Sequence, residues 1–256
     1  MTWSTVISMS GRIAAASLAE FSSVPAALVR IVIAPWAMTA LYLLLAAGGN
    51  LQRLSPESSW IAGVAVGSTA AVVSGAMLAL QDQMHGTVPY LIVATRGSVA
   101  AWLGRAAVLA FVGTASALSG SLFLPALGGQ LNQPSTAWNL VAVVLAGVTS
   151  VSVGYVVGLV SQMMKDPLVL ANIVELFLPA VMGAIAPIAL LPAPVQAIAL
   201  ALPGTTLISG LREWARHGEL AQLIAAFGTA AILGGVWLVC GVVLATLVRK
   251  SRRTPA

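Results

Sequence analysis

Runs of about 20 apolar residues, the length that crosses a bilayer as one helix, recur along this chain with short polar breaks between them. They predict six spans, at roughly 27–48, 60–80, 101–126, 138–161, 168–190 and 222–248. Gly48-Gly49-Asn50 closes the first, and a polar loop with Arg53, Pro56 and Glu57 leads to the second, where Trp60 stands in the place of an interfacial anchor. Ala, Gly and Ser enrich the second span, and small residues let helices approach closely in lipid. Trp138 opens the fourth span, and the brief Met163–Pro167 connection leads to the fifth.

Three segments depart from this regular pattern. Residues 1–25 intersperse Val6, Ile7, Ile13 and Leu18 with serines, Arg12 and Glu20, the pattern of a helix lying on the cytoplasmic membrane face, punctuated by Pro25. Residues 81–97 (QDQMHGTVPYLIVATRG) break the hydropathy between the second and third spans. Pro179, Pro187, Pro192, Pro194 and Pro203 crowd a segment that remains apolar through Ile208. Prolines at that density cannot continue one straight helix. The expectation is a pair of re-entrant half-helices over about 191–210, allowed only where protein or water satisfies the freed backbone groups.

Composition agrees with a membrane chain. Hydrophobic residues make up 59% and charged residues 7% of the sequence, against roughly 25% charged in a soluble domain. Six spans use most of the 256 residues and leave little for a soluble catalytic domain. The start of the chain lacks the charged n-region of a cleavable signal peptide and carries Arg12 and Glu20 within its apolar stretch.

The net charge of +5 gives no nucleic-acid signal, since basic residues are scattered singly until the tail Arg249, Lys250, Arg252 and Arg253. That tail reads as an anchor against anionic headgroups. With both termini in the cytoplasm, Arg12, Arg30, Arg96, Arg105, Lys165 and the four tail residues fall inside, while Arg53, Arg212 and Arg216 fall outside. This is the bias of the positive-inside rule and favours an even number of spans.

Little catalytic chemistry is legible. His85 and His217 lie outside the predicted spans, and neither HExxH, nor GxSxG, nor a GxxxxGK[ST] phosphate loop occurs. If ATP drives this protein, another chain must bind it. The lone Cys240 permits neither an intramolecular disulfide nor a thiolate metal cluster. Glu175, within the fifth span, has two readings. It lines a substrate path or pairs with a basic residue such as Lys165 or Arg105, with Asn172 one turn earlier on the same face, or it snorkels to the cytoplasmic interface. Residues 81–97 also have two readings, as an ordinary loop or as a short helix presenting Gln81, Asp82, Gln83 and His85 to a groove on a soluble partner.

The order of these parts resembles the ABC-2 type permeases, the membrane subunits of one class of ATP-binding-cassette exporters. Two stretches carry the resemblance. In Gln83–Arg96, Gly86, Thr87, Leu91 and Thr95 stand where that family has its Gly-Thr, leucine and Thr-Pro positions. Gln81 and Gln83 replace the usual glutamates, leaving Asp82 acidic, and Arg96 replaces the proline. In Phe177–Trp214, Gly183, Pro187, Pro192, Gln196, Leu202, Pro203 and Arg212 hold the family's small-residue, Leu-Pro and arginine positions.

The resemblance implies an all-helical domain that pairs with a second copy or paralogue and with two ATPase subunits. ATP and magnesium would bind the ATPases, and this chain would hold no cofactor. Residues 81–96 and the N-terminal helix would receive their motion, and Gly183, Pro187, Pro192 and Pro203 would form an extracellular gate. Small amphiphiles, drugs, antibiotics, peptides or lipids would be the cargo, moved outward across a bacterial plasma membrane. A secondary carrier is the competing transporter reading, and a non-transporting immunity or assembly protein is the third.

Overall fold

The computed structural model describes residues 3–18, 21–48, 56–84, 98–128 and 136–251. Among them the ordered elements are helices, with no strand. The helices are α1 (Trp3–Ser17), α2 (Val24–Ala46), α3 (Pro56–Met84), α4 (Ser98–Ser121), α5 (Phe123–Gly128), α6 (Thr136–Ser161), α7 (Pro167–Val181), α8 (Ala193–Leu200), α9 (Pro203–His217) and α10 (Leu220–Ser251). Five of them, α2, α3, α4, α6 and α10, contain stretches long and apolar enough to cross a membrane. The pair α8–α9 meets the same test only when taken together, across a bend of 94°.

The middle helix of the bundle is α3. In its apolar stretch 89% of residues are buried, against 22% in α2 and α10, so α3 packs on all sides while α2 and α10 turn much of their apolar surface outward. α3 lies against α4 and α6, which also pack on each other; α2 covers α3 and α4, and α10 covers α6 and α9. Small residues make this possible. Gly113 of α4 is where three helices meet: a Cβ there would lie 2.7 Å from the Ala71 Cβ of α3 and 3.0 Å from the Gly147 Cα of α6. Lipid tails are as apolar as the helix surfaces, so such close backbone packing, rather than hydrophobic transfer, is what holds helices together in a bilayer.

The largest buried cluster joins Val64 and Val72 of α3, Val143 of α6, Leu207 and Ile208 of α9 and Leu223 of α10. α9 is therefore a core element, despite its charged end. A second cluster ties α1 to the bundle through Ala14 and Leu18, packed with Leu109 and Val112 of α4.

Several expectations are corrected here. Trp60 is buried in the main cluster and is not an interfacial anchor. Its helix begins before it, and the ring turns into the bundle. The expected fifth span over 168–190 is instead a helix that ends at Val181, about 22 Å long at 1.5 Å per residue. It runs through Pro179, and the break comes at Gly183, whose φ of +84° is a left-handed conformation open to a residue without a Cβ. The second span continues to Met84, so Gln81, Asp82 and Gln83 belong to the end of α3 and not to a separate element beyond it. The first span begins at Val24, where Ser23 caps it by accepting a hydrogen bond from the Ala26 amide.

Candidate functional site

The proline-rich segment is held in place by polar side chains that reach backbone carbonyls. α7 ends at Val181, the chain turns at Gly183, and after a short 3-10 turn, Ile188–Leu190, it enters α8. Proline fixes φ and lacks an N–H, so Pro187, Pro192, Pro194 and Pro203 stand at the starts of the 3-10 turn, α8 and α9, and the helix ends between them leave carbonyls that need donors. Three side chains supply them. The Arg212 guanidinium of α9 donates to the Gly183 carbonyl at 2.8 Å. The Gln196 amide of α8 donates to the Leu191 carbonyl at 2.7 Å. The Trp237 indole of α10 donates to the Ala201 carbonyl at 2.7 Å, at the bend between α8 and α9.

The Arg212 contact also has an electrostatic component. The carbonyls at the end of α7 carry the negative end of its dipole, and a cation beside them is favoured. α9 ends in a small charged group, in which Glu213 is 3.3 Å from Arg216 and 3.4 Å from His217. Gly218, at φ +71°, terminates that helix.

Of the residues assigned to a gate, Gly183 and Pro203 are buried while Pro187 and Pro192 are exposed. They share one proline-broken segment but not one surface. The buried half packs on α3 and α6 through Leu207, Ile208 and Leu211.

Glu175 has a partner, and it is neither Lys165 nor Arg105. Its carboxylate lies 3.6 Å from the guanidinium of Arg30 in α2, with each side chain about one-third exposed (37% and 34%). Arg30 stands in a π-helical turn, Val29–Ile33, inside an otherwise α-helical span. Asn172 is exposed. Sequence reasoning placed Arg30 among the inner-side charges and missed this pairing; its one signal was a lone arginine inside an apolar run, beside a lone glutamate inside another.

His85, Gly86, Thr87, Leu91, Thr95 and Arg96 lie outside the described residues, as do Glu20, Arg53, Arg252 and Arg253. Among the described residues no group of three or more His, Cys, Asp or Glu is placed to hold a metal ion. Cys240 is a free, exposed thiol on α10.

Fold and site together define an all-helical membrane protein. Comparison with known proteins finds no matching family model, no matching curated protein and no matching solved structure.

Proposed function

We propose that this chain is the membrane-spanning subunit of an ATP-driven exporter of the ABC-2 type, with six spans and both termini in the cytoplasm of a bacterial cell. The observation that carries the proposal is the proline-broken segment between α7 and α10, clamped by Arg212, Gln196 and Trp237, whose 94° bend has no counterpart in the other long helices among the described residues. In this reading α7 is the fifth span, α8–α9 re-enters from the outer face as the extracellular gate, and α1 lies on the inner face.

The end of α3 and the segment through Arg96 receive the motion of a soluble ATPase, because the chain has no phosphate-binding loop of its own. A second copy or a paralogue completes the pathway. The cargo is a small amphiphile, drug, antibiotic, peptide or lipid.

The test is a gentle purification of the tagged chain in nanodiscs, with bound proteins identified by mass spectrometry. Recovery of a subunit with a phosphate-binding loop, lost when residues 81–96 are replaced by a Gly-Ser linker, supports the proposal. A chain that purifies alone from its native membrane overturns it.

The ion pair in α2 and α7 favours a second reading, as a secondary carrier. An intramembrane carboxylate is the group an ion-coupled carrier uses, and here it would exchange Arg30 for a transported cation. Glu175→Gln together with the purification decides between them: a carrier binds no ATPase and loses transport in that variant.

A further inference from the structure

α9 starts inside the bundle. Leu202, Pro203, Gly204 and Thr205 are all buried, and Gly204 lies against Ser68, near the middle of the apolar stretch Ser58–Gln81 of α3. The N-terminus of α9 is therefore level with the middle of the central helix. We propose that this N-terminus binds one small anion of the size of chloride, held by the Gly204 amide and the hydroxyls of Ser68 and Thr205. The proposal requires only the helix arrangement and stands apart from the exporter reading.

Three observations lead there. First, the helix end is uncapped. The first amides of a helix have no intrahelical acceptors and carry positive partial charge, which favours an anion. Leu202 stands at the N-cap position, and no side chain caps the end. The Thr205 amide turns back to the Leu202 carbonyl at 3.2 Å, and the Gly204 amide finds no acceptor among the described residues.

Second, two hydroxyls at this end are buried and unpartnered. Ser68 and Thr205 are each 1% exposed, and neither Oγ has a hydrogen-bond partner among the described residues. A buried hydroxyl left this way costs stability unless a ligand serves it. The Ser68 Oγ lies 3.0 Å from where a Cβ of Gly204 would stand. Helical side chains tilt toward the N-terminus, which carries the Thr205 hydroxyl toward the same amide. Each hydroxyl can rotate its proton toward an acceptor, so the amide and both hydroxyls can donate to one anion.

Third, the surroundings suit a small ion. Gly204 has no side chain to block its backbone, and the Met182 sulfur lies 2.5 Å from its missing Cβ position and walls that side. Methionine is unbranched and adaptable, so the wall can yield to a single atom while excluding bulkier anions. The Arg212 guanidinium, bonded to the carbonyl of the adjacent Gly183, adds positive charge. A half-helix that begins within the membrane presents its positive end to anionic groups there.

The experiment is thermal unfolding of the full chain in nanodiscs, with sodium gluconate replaced stepwise by sodium chloride at constant ionic strength. The expected result is a saturable rise in melting temperature with chloride, and none with sulfate in its place. Ser68→Ala and Thr205→Val should each raise the chloride concentration at half effect about tenfold, the equivalent of ~1.4 kcal/mol. A melting temperature that does not respond to chloride overturns the proposal and leaves the three donors to buried water. An equal rise with sulfate overturns it, as does a chloride response unchanged in both variants.

If the variants fail to fold, bromide anomalous scattering from crystals of the unaltered protein locates the ion. A peak at Gly204 supports the site, and peaks confined to other places, or none, overturn it.

Discussion

The Arg212 guanidinium and the Gly183 carbonyl, 29 residues apart, are 2.8 Å from each other, and their contact ties the end of α7 to the middle of α9. Between them lie the 3-10 turn, α8 and the 94° bend. One side chain thus fixes where the broken segment leaves the bundle and where it returns.

Removing that donor should loosen the hairpin. Arg212→Gln is expected to cost about 1.5–3 kcal/mol, the range for a hydrogen bond to a charged group. Amide hydrogen exchange should rise across 183–202 and stay unchanged in α3. Uniform exchange in both regions would show that Arg212 holds nothing.

Trp237 supports the same hairpin from α10 through its 2.7 Å bond to the Ala201 carbonyl. Trp237→Phe keeps the aromatic ring and loses the N–H, so the expected loss is about 1 kcal/mol. The melting temperature in detergent should fall modestly, and faster exchange should concentrate near the α8–α9 bend. A variant as stable as the parent would mean that water serves that carbonyl equally well.

Gly113 tests the central packing. A methyl group there would press on Ala71 at 2.7 Å and on the Gly147 backbone at 3.0 Å, so helices must move apart. Gly113→Ala should destabilise the protein by about 1–3 kcal/mol, the usual range for overpacking. Gly235→Ala on α10 meets nothing within 4 Å and should be neutral or slightly stabilising. Thermal unfolding of the two variants side by side is the check, and equal effects would contradict the helix arrangement.

Cys240 reports on membrane exposure. It is exposed on α10, inside a helix apolar enough to span a bilayer. In sealed vesicles a membrane-permeant maleimide should label it, and a charged impermeant thiol reagent should not. Rapid labelling by the charged reagent from either side would place that part of α10 in water.

How much was legible in advance differs from element to element. Helices α3, α4, α6 and α10 fall close to the predicted runs, because a long apolar stretch in lipid must satisfy its own backbone and forms a helix. Boundaries failed where a proline or a polar residue was taken as a stop. Pro179 lies inside α7, and Gln81 to Gln83 lie inside α3. A single proline close to a helix end removes little hydrogen bonding, and a helix that emerges from lipid can continue into water. The break in the helical pattern was foreseen from its proline density, and its clamp was not, since a donor to a backbone carbonyl leaves no pattern in sequence.

The sequence by itself determined the class of protein and the position of its helices, because apolar run length is a local property set against a fixed bilayer thickness. It also set aside the common catalytic motifs, which are local patterns as well. Only the tertiary structure decided that Trp60 turns into the bundle, that Arg212 clamps Gly183, and that Glu175 faces Arg30 rather than Lys165 or Arg105. Those outcomes depend on which helix faces meet. In a membrane that choice rests on small residues such as Gly113 fitting against a neighbour, which the periodicity of apolar residues does not record.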